Sequence, residues 1–339
     1  MTISVVLFTL GGPDRQESVE PFLFNLFNDP AIISLPWPFR PLLARFIARR
    51  RAPFARDIYA HLGGGSPLLA NTLAQMEALQ RVLGDPYRVR IGMRYWHPFI
   101  AEAAALVKRD KPDKIILLPL YPHYSTTTTG SSVREWHRAA AAAGIEAPTA
   151  TICCYPLLEG FVETVARGAR LRINAAQGQT GGAPLVVFTA HGLPERVIAK
   201  GDPYQVQIEA TARAVADKLA LAPDRWILTY QSRVGRLPWL KPATDEVLSN
   251  RPGEAIVVVP LSFVSDHSET LVELDIEYRK LALEKGAAGY WRAPVVAQDS
   301  HFIAGLADLI RTAPIGVSGL CRDGLCAACR CCPARSLAP

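Results

Sequence analysis

Five short runs along the chain are apolar throughout: ISVVLFTL (3–10), IILLPLY (115–121), LVVFTA (185–190), WILTY (226–230) and AIVVVPLSF (255–263). Each is rich in Val, Ile and Leu, with Pro or Gly near its ends, and none alternates apolar with polar residues. A strand of this kind is covered on both faces, as in the middle of a parallel sheet. Between these runs, 68–83, 99–109, 133–143, 204–219 and 269–284 carry helical patterns. Strand and helix in alternation predict a doubly wound α/β architecture.

The alternation restarts partway along the chain. One set covers roughly 1–145 and a second begins near 185. The stretch 174–183 (NAAQGQTGGA) is small, polar and rich in glycine, and reads as a loop ahead of the second set. The predicted division is a Rossmann-like domain over 1–150, a similar one over 151–315, and a cysteine-rich tail over 316–339. Two such domains facing each other leave a cleft at the carboxyl ends of their strands. The polar segments fall just after the strands: Gly11–Pro13, Tyr121–Ser132, His191–Pro194, Gln231–Trp239 and Ser265–Glu277. No Gly-x-Gly-x-x-Gly or Walker lysine loop occurs, which argues against a nucleotide enzyme.

With 339 residues, 49% of them hydrophobic, the chain has the material for a sizeable core. No stretch approaches the ~20 apolar residues of a membrane span. The N-terminus (MTISVVLFTLGGP) reads as a buried strand running into a glycine turn rather than as a signal peptide, so a cytoplasmic protein is expected. The net charge of +6 is mildly basic. Only 45–56 (RFIARRRAPFAR) resembles a nucleic-acid stripe, and Trp37, Phe39, Leu42, Leu43, Phe46 and Ile47 surround it. Basic, apolar and Trp residues together suit a membrane interface or an anionic ligand better than a DNA groove. The same pattern also fits an ordinary amphipathic helix packed on the core.

Four segments carry candidate chemistry. In FTAHGLP (188–194), His191 follows an apolar strand and sits where a cleft mouth is expected. In VSDHSETLVELDIEY (264–278), Glu269, Glu273 and Glu277 are spaced by four, which puts them along one helix face behind Asp266 and His267. An exposed acidic face explains that spacing, and so does a cation path or proton relay. In RAPFARDIYAHLGGGSP (51–67), Arg51, Tyr59 and Ser66 are donors suited to carboxylates, and Gly63–Gly65 would let a ligand approach the backbone. In QSRVGRLPWL (231–240), Trp239 reads either as a flat wall for a planar ligand or as core packing. Cysteine usage is uneven. Cys153 and Cys154 are adjacent, and Cys321, Cys326, Cys329, Cys331 and Cys332 crowd into twelve residues. Without a secretory signal, such crowding argues for metal rather than disulfides.

These segments resemble the ferrochelatases over nearly the whole chain. The resemblance rests on LFTLGGPD (7–14), RRRAP (49–53) with YAHLGGGSPL (59–68), IGMRYWHP (91–98), LPLYPHYSTTTTGSS (118–132), TAHGLP (189–194) with KGDPY (200–204), YQSRVGRLPWLKPATDE (230–246) and SDHSETLVELDIEY (265–278). It implies two Rossmann-like domains, ferrous iron and protoporphyrin IX as substrates, and haem as product. His191 matches the family's catalytic histidine and Glu269 its acidic partner, and both are candidate iron ligands. His267, Glu273 and Glu277 match an acidic path. Arg51, Tyr59, Ser66 and Tyr204 match propionate-holding positions, Arg94 and Tyr95 an arginine–tyrosine pair on the cleft wall, and Trp239 a pocket aromatic. Leu10 matches a variable position and is assigned packing alone.

The C-terminal cysteines resemble those of cluster-bearing bacterial members. The implied [2Fe–2S] cluster would take Cys321, Cys329, Cys331 and either Cys153 or Cys154, since Thr126 stands where animal members supply their internal ligand. The apolar lip at 35–47 implies peripheral contact with the inner face of the cytoplasmic membrane. It also favours protoporphyrin over the more polar coproporphyrin. A homodimer is left open. The rival readings are another tetrapyrrole chelatase and a non-catalytic porphyrin carrier, and a carrier has no use for a proton acceptor.

Overall fold

A computed structural model of the protein describes residues 1–235 and 237–313 in full, and the backbone of 318–320. The chain divides into two compact units. One holds Met1–Cys154 and takes in the chain again from Leu306; the other holds Tyr155–Gly305.

The first unit runs β1 (Ile3–Thr9), α1 (Val19–Phe27), α2 (Phe39–Ala60), α3 (Leu68–Leu83), β2 (Tyr87–Met93), α4 (Ile100–Asp110), β3 (Lys114–Pro119), α5 (Thr129–Ala142) and β4 (Thr149–Ile152). The second runs α6 (Glu159–Thr180), β5 (Leu185–His191), α7 (Glu195–Ala199), α8 (Tyr204–Leu219), β6 (Trp226–Gln231), α9 (Thr244–Ser249), β7 (Ala255–Pro260), a π-helix (Glu269–Tyr278), α10 (Arg279–Glu284) and β8 (Gly289–Arg292). Helix α11 (Ser300–Arg311) begins in the second unit and ends in the first, where β9 (Ser318–Leu320) joins the sheet.

Both sheets are parallel, with orders β2-β1-β3-β4-β9 and β6-β5-β7-β8. The same order therefore occurs twice: the first strand of each unit is central, paired on one side with the second and on the other with the third. The predicted α/β fold and the restart of its pattern are both present. Strands β1, β3 and β7 are buried at every position, as their largely apolar sequences require. In the first unit Val6, Phe8, Ile115 and Leu117 pack under Ile100 and Val107 of α4 and Trp136 of α5. In the second, Val187, Ile256 and Val258 pack against Leu248, Leu274 and Ala282. Fully burying one such aliphatic side chain stabilises the fold by about 1.5–3 kcal/mol.

Two expectations are corrected. The stretch 174–183 is not a loop, because α6 continues to Thr180. Its Ala and Gln residues are good helix formers, and the single Gly178 costs only about 1 kcal/mol. The helix ends at Gly181, whose φ of 73° is the left-handed conformation glycine adopts cheaply and whose N–H returns to the Gln177 carbonyl. The expected helix over 269–284 is π for its first ten residues and α only from Arg279.

Candidate active site

The switch point of the second sheet lies between β5 and β7, two parallel neighbours whose sheet order is built outward in opposite directions, to β6 on one side and β8 on the other. His191 is the last residue of β5, so it stands at that point. Its backbone is held on both sides. The His191 N–H donates to Ser262 Oγ at 2.9 Å, and the Tyr204 hydroxyl donates to the His191 carbonyl at 2.9 Å. Gly192 comes next because its Cα lies against neighbours: a Cβ there would meet the Gln231 carbonyl at 3.0 Å and the Trp239 ring at 3.4 Å.

The imidazole Nδ1 lies 2.7 Å from Glu269 Oε2. A carboxylate accepts here, so Nδ1 carries the proton and the neutral ring presents its lone pair on Nε2. The His191 side chain is 37% exposed and that of Glu269 26% exposed, so the pair is reachable from solvent. Burial disfavours the imidazolium, but the Glu269 charge and hydrogen bond together with the Glu273 charge outweigh it and raise the His191 pKa above its ordinary value. Burial likewise works to raise Glu269. The His191 ring overrides it, aided by His267 and Ser232, and holds that carboxyl well below the usual range. Glu273 goes the other way, pushed up by burial and by the adjacent Glu269 charge.

Glu273 is more completely held than Glu269. Its oxygens accept from Ser232 N–H at 2.9 Å, Ser232 Oγ at 2.6 Å, Gln231 Nε2 at 2.9 Å and the Tyr278 hydroxyl at 2.9 Å. Ser232 Oγ also lies 3.0 Å from Glu269 Oε2, and Gln231 Nε2 lies 3.1 Å from the Glu269 carbonyl. Ser232 has φ 64°, a left-handed conformation that costs a non-glycine residue about 1–2 kcal/mol. That turn aims its N–H and hydroxyl at the same carboxylate. The π-helix brings Glu269 and Glu273 to one place, and such helices recur at functional sites. Glu277, the third carboxylate of the expected path, is exposed. On the far side of the helix Arg292 of β8 grips Asp275 at 2.6 and 2.8 Å and reaches Asp266 at 3.1 Å, fixing the helix against the sheet. His267 donates from Nδ1 to the Ser265 carbonyl and packs edge-on against Phe263. The Trp239 indole donates to the Val234 carbonyl with its ring partly exposed.

The first unit holds the other expected residues. Arg94 follows β2 and is 18% exposed. Tyr95 is fully enclosed: its hydroxyl donates to Asp29 at 2.8 Å, and its ring lies 5.1 Å from the Arg94 guanidinium carbon. Tyr59 is buried with Phe22, Leu23 and Tyr95. Arg51 lies partly buried over the Phe27 ring, and that burial lowers its pKa. Ser66 is partly exposed and donates its N–H to the Pro13 carbonyl at 2.7 Å. Within the glycine triplet Gly65 faces protein, where a Cβ would meet the Asp14 carbonyl at 2.4 Å, whereas a Cβ on Gly63 would meet nothing within 4 Å. Gly65 locks its loop against the one that carries Asp14, while Gly63 is open. Leu10 packs in the same cluster as Tyr59. Cys153 and Cys154 are buried at the end of β4 with their sulfurs 3.8 Å apart. Cys321, Cys329 and Cys331 lie outside the described residues.

Sequence reading missed Gln231, Ser232, Ser262, Arg292 and Asp29. Gln-Ser directly after an apolar strand, and one acid inside FNLFNDPAII (24–33), were the available signals.

Residues 2–313 match the family model described as ferrochelatase. The chain is 46% identical over 330 residues to a protein named ferrochelatase from Caulobacter vibrioides, covering 94% of this chain and 93% of that one. It is 49% identical over 315 residues to a ferrochelatase from Phenylobacterium zucineum, covering 91% and 90% of the two chains. A ferrochelatase from Pelagibacter ubique is 44% identical over 317 residues, covering 91% of each. Among solved structures, SirB from Bacillus subtilis with Fe3+ superimposes with a TM-score of 0.52 at 13% identity, covering 92% of this chain and 95% of that one, a likeness of fold. The chain belongs to the ferrochelatase family, enzymes that insert ferrous iron into a porphyrin.

Proposed function

We propose that His191 is the proton acceptor of metal insertion and that Glu269 orients it, balances the imidazolium and offers oxygen to iron. The observation that carries this reading is the 2.7 Å contact of Nδ1 with Glu269, which leaves the lone pair on Nε2. A free-base porphyrin carries two N–H protons inside its ring, and insertion of Fe2+ releases both. A neutral imidazole accepts a pyrrole proton, and the carboxylate at its other nitrogen makes that transfer easier. Glu273 and His267 lie next in the acidic path. Glu277, being exposed, is its outer end. Arg51 and Ser66 are assigned to the porphyrin propionates, as donors suited to carboxylates, and Arg94 to the wall that meets the porphyrin. Tyr59 and Tyr204 support them from buried positions, Tyr204 by holding the His191 backbone. Trp239 packs on the ring system.

Protoporphyrin IX is the proposed porphyrin, because the exposed segment 35–47 is apolar, which suits the less polar dicarboxylate. Purified enzyme tests it: turnover with protoporphyrin should exceed turnover with coproporphyrin at equal concentration. A reversed preference removes the assignment.

The lip supports a peripheral membrane contact. Trp37 is 78% and Leu42 68% exposed, with Phe39, Phe46 and Phe54 also open and Arg45, Arg49 and Arg50 among them. Aromatic and basic residues exposed together suit an anionic bilayer surface. Among the described residues no helix is long and apolar enough to cross a membrane.

A [2Fe–2S] cluster is proposed from the sequence, where five cysteines crowd into 321–332. Cys153 and Cys154 are buried directly after β4 with their sulfurs 3.8 Å apart. Cys153 or Cys154 with Cys321, Cys329 and Cys331 would hold the cluster, whose chemistry there is structural or redox-sensing. Iron and acid-labile sulfide at about two each per chain is the expected assay. One zinc per chain without visible absorption contradicts it.

A further inference from the structure

We infer that Asp29 is the positioning residue for Arg94, setting the direction in which that arginine meets the porphyrin. This rests on the reading that Arg94 faces the porphyrin.

Asp29 lies just after α1, and its side chain is 1% exposed. A carboxylate so deeply buried is costly unless it is fully partnered. Four donors surround it. Oδ2 accepts from Arg94 Nη2 at 2.9 Å, from the Tyr95 hydroxyl at 2.8 Å and from Ser131 Oγ, while Oδ1 accepts from the Ala31 N–H at 2.8 Å. Arg94 is held a second time, because its Nε donates to Ser131 Oγ at 2.7 Å. A guanidinium is planar and rigid, so fixing Nε and one terminal nitrogen fixes the direction of the other. Tyr95 closes the arrangement from the side, with its ring beside the guanidinium. Burial and the Asp29 charge both raise the Tyr95 pKa, so its hydroxyl stays a donor.

The same residue roots the lip. The Asp29 carbonyl accepts from the Ile32 and Ile33 N–H groups at 3.0 and 2.9 Å, and its side chain caps Ala31 in an Asx turn. The exposed apolar segment begins a few residues later, at Leu35. One carboxylate therefore fixes both the arginine and the start of the lip. Neither Arg94 nor Ser131 is near Asp29 in sequence, being 65 and 102 residues away.

The test uses the full chain and protoporphyrin IX, with binding followed by fluorescence and turnover by metallation at saturating Fe2+. Asp29→Asn keeps the shape and removes the charge. It should weaken porphyrin binding about tenfold, as should Arg94→Met. The double variant should bind no more than about twofold more weakly than Arg94→Met alone, because Asp29 acts through Arg94. KM for porphyrin should rise while kcat at saturation stays within about twofold, a split that a generally loosened core does not produce. Ser131→Ala leaves both charges in place and covers the case in which Asp29→Asn fails to fold. It should cost about threefold in affinity, and nothing further in the Arg94→Met background. Losses that add, giving about a hundredfold in the double variant, overturn the inference and leave the role of Arg94 standing. Wild-type affinity in Arg94→Met overturns both. Wild-type affinity in folded Ser131→Ala and Asp29→Asn overturns the positioning role alone.

Discussion

Glu269 and Asp29 are both acids beside a basic side chain, each in the same kind of α/β unit, yet they are built for opposite ends. Asp29 is sealed, with four donors on two oxygens and 1% of its side chain exposed. Glu269 is 26% exposed and shares the Ser232 hydroxyl with Glu273, so its oxygens are incompletely occupied. Its partner also differs. One partner is a guanidinium, the other an imidazole, the side chain that can take a proton or give it up near neutral pH. A saturated carboxylate holds something still. An unsaturated one beside a titratable ring can take part in chemistry.

The largest effect that would sharpen this contrast is His191→Ala. Metallation should fall about a thousandfold while porphyrin still binds and the melting temperature stays within a few degrees, since the ring is partly exposed. Near-normal turnover would remove the proton-acceptor role. Glu269→Gln, which keeps shape and removes charge, should lower turnover about a hundredfold with the fold intact. A sharp drop in melting temperature, with the remaining folded enzyme fully active, would make Glu269 structural instead. Asp29→Asn is the mirror case. It should cost about 3 kcal/mol in denaturant unfolding because it strands a buried arginine, and should leave kcat at saturation within about twofold. A loss below about 1 kcal/mol would break the comparison.

The smallest effect is read by NMR titration of the His191 ring. Glu269 raises this pKa against burial, so the wild-type midpoint should lie above 6.5. In Glu269→Gln the opposing burial remains, and the midpoint should drop. The sign for stability follows. The imidazolium pair stabilises the fold below the ordinary histidine value and is lost as pH rises through the raised one. The lowered Glu269 adds stability above the ordinary carboxylate value, lost as pH falls through its own. An unchanged midpoint in the variant would separate the two residues.

The strands that run through the middle of each sheet were legible because their largely apolar sequences admit few other structures. Strand β2 was not, since YRVRIGM alternates charged with apolar residues at the edge of its sheet. Strand β8, GYWR, is too short to stand out. His191 and Glu269 were legible from local motifs, and the structure brings them together. The residues that hold them were not. Ser232 matters through a left-handed backbone, Arg292 through two carboxylates 17 and 26 residues away, and Asp29 through partners more than 60 residues distant. Spacing by four placed three glutamates on one face, but the structure brings only Glu269 and Glu273 onto the Gln231–Ser232 donors.

The most direct test of the central claim, that His191 and Glu269 act as one proton-accepting unit, is a double-mutant cycle on metallation turnover. His191→Ala combined with Glu269→Gln should lose far less than the product of the two single losses, because Glu269 then has no ring to orient and keeps only its oxygen for iron. If the two losses multiply instead, the residues work independently and the unit does not exist.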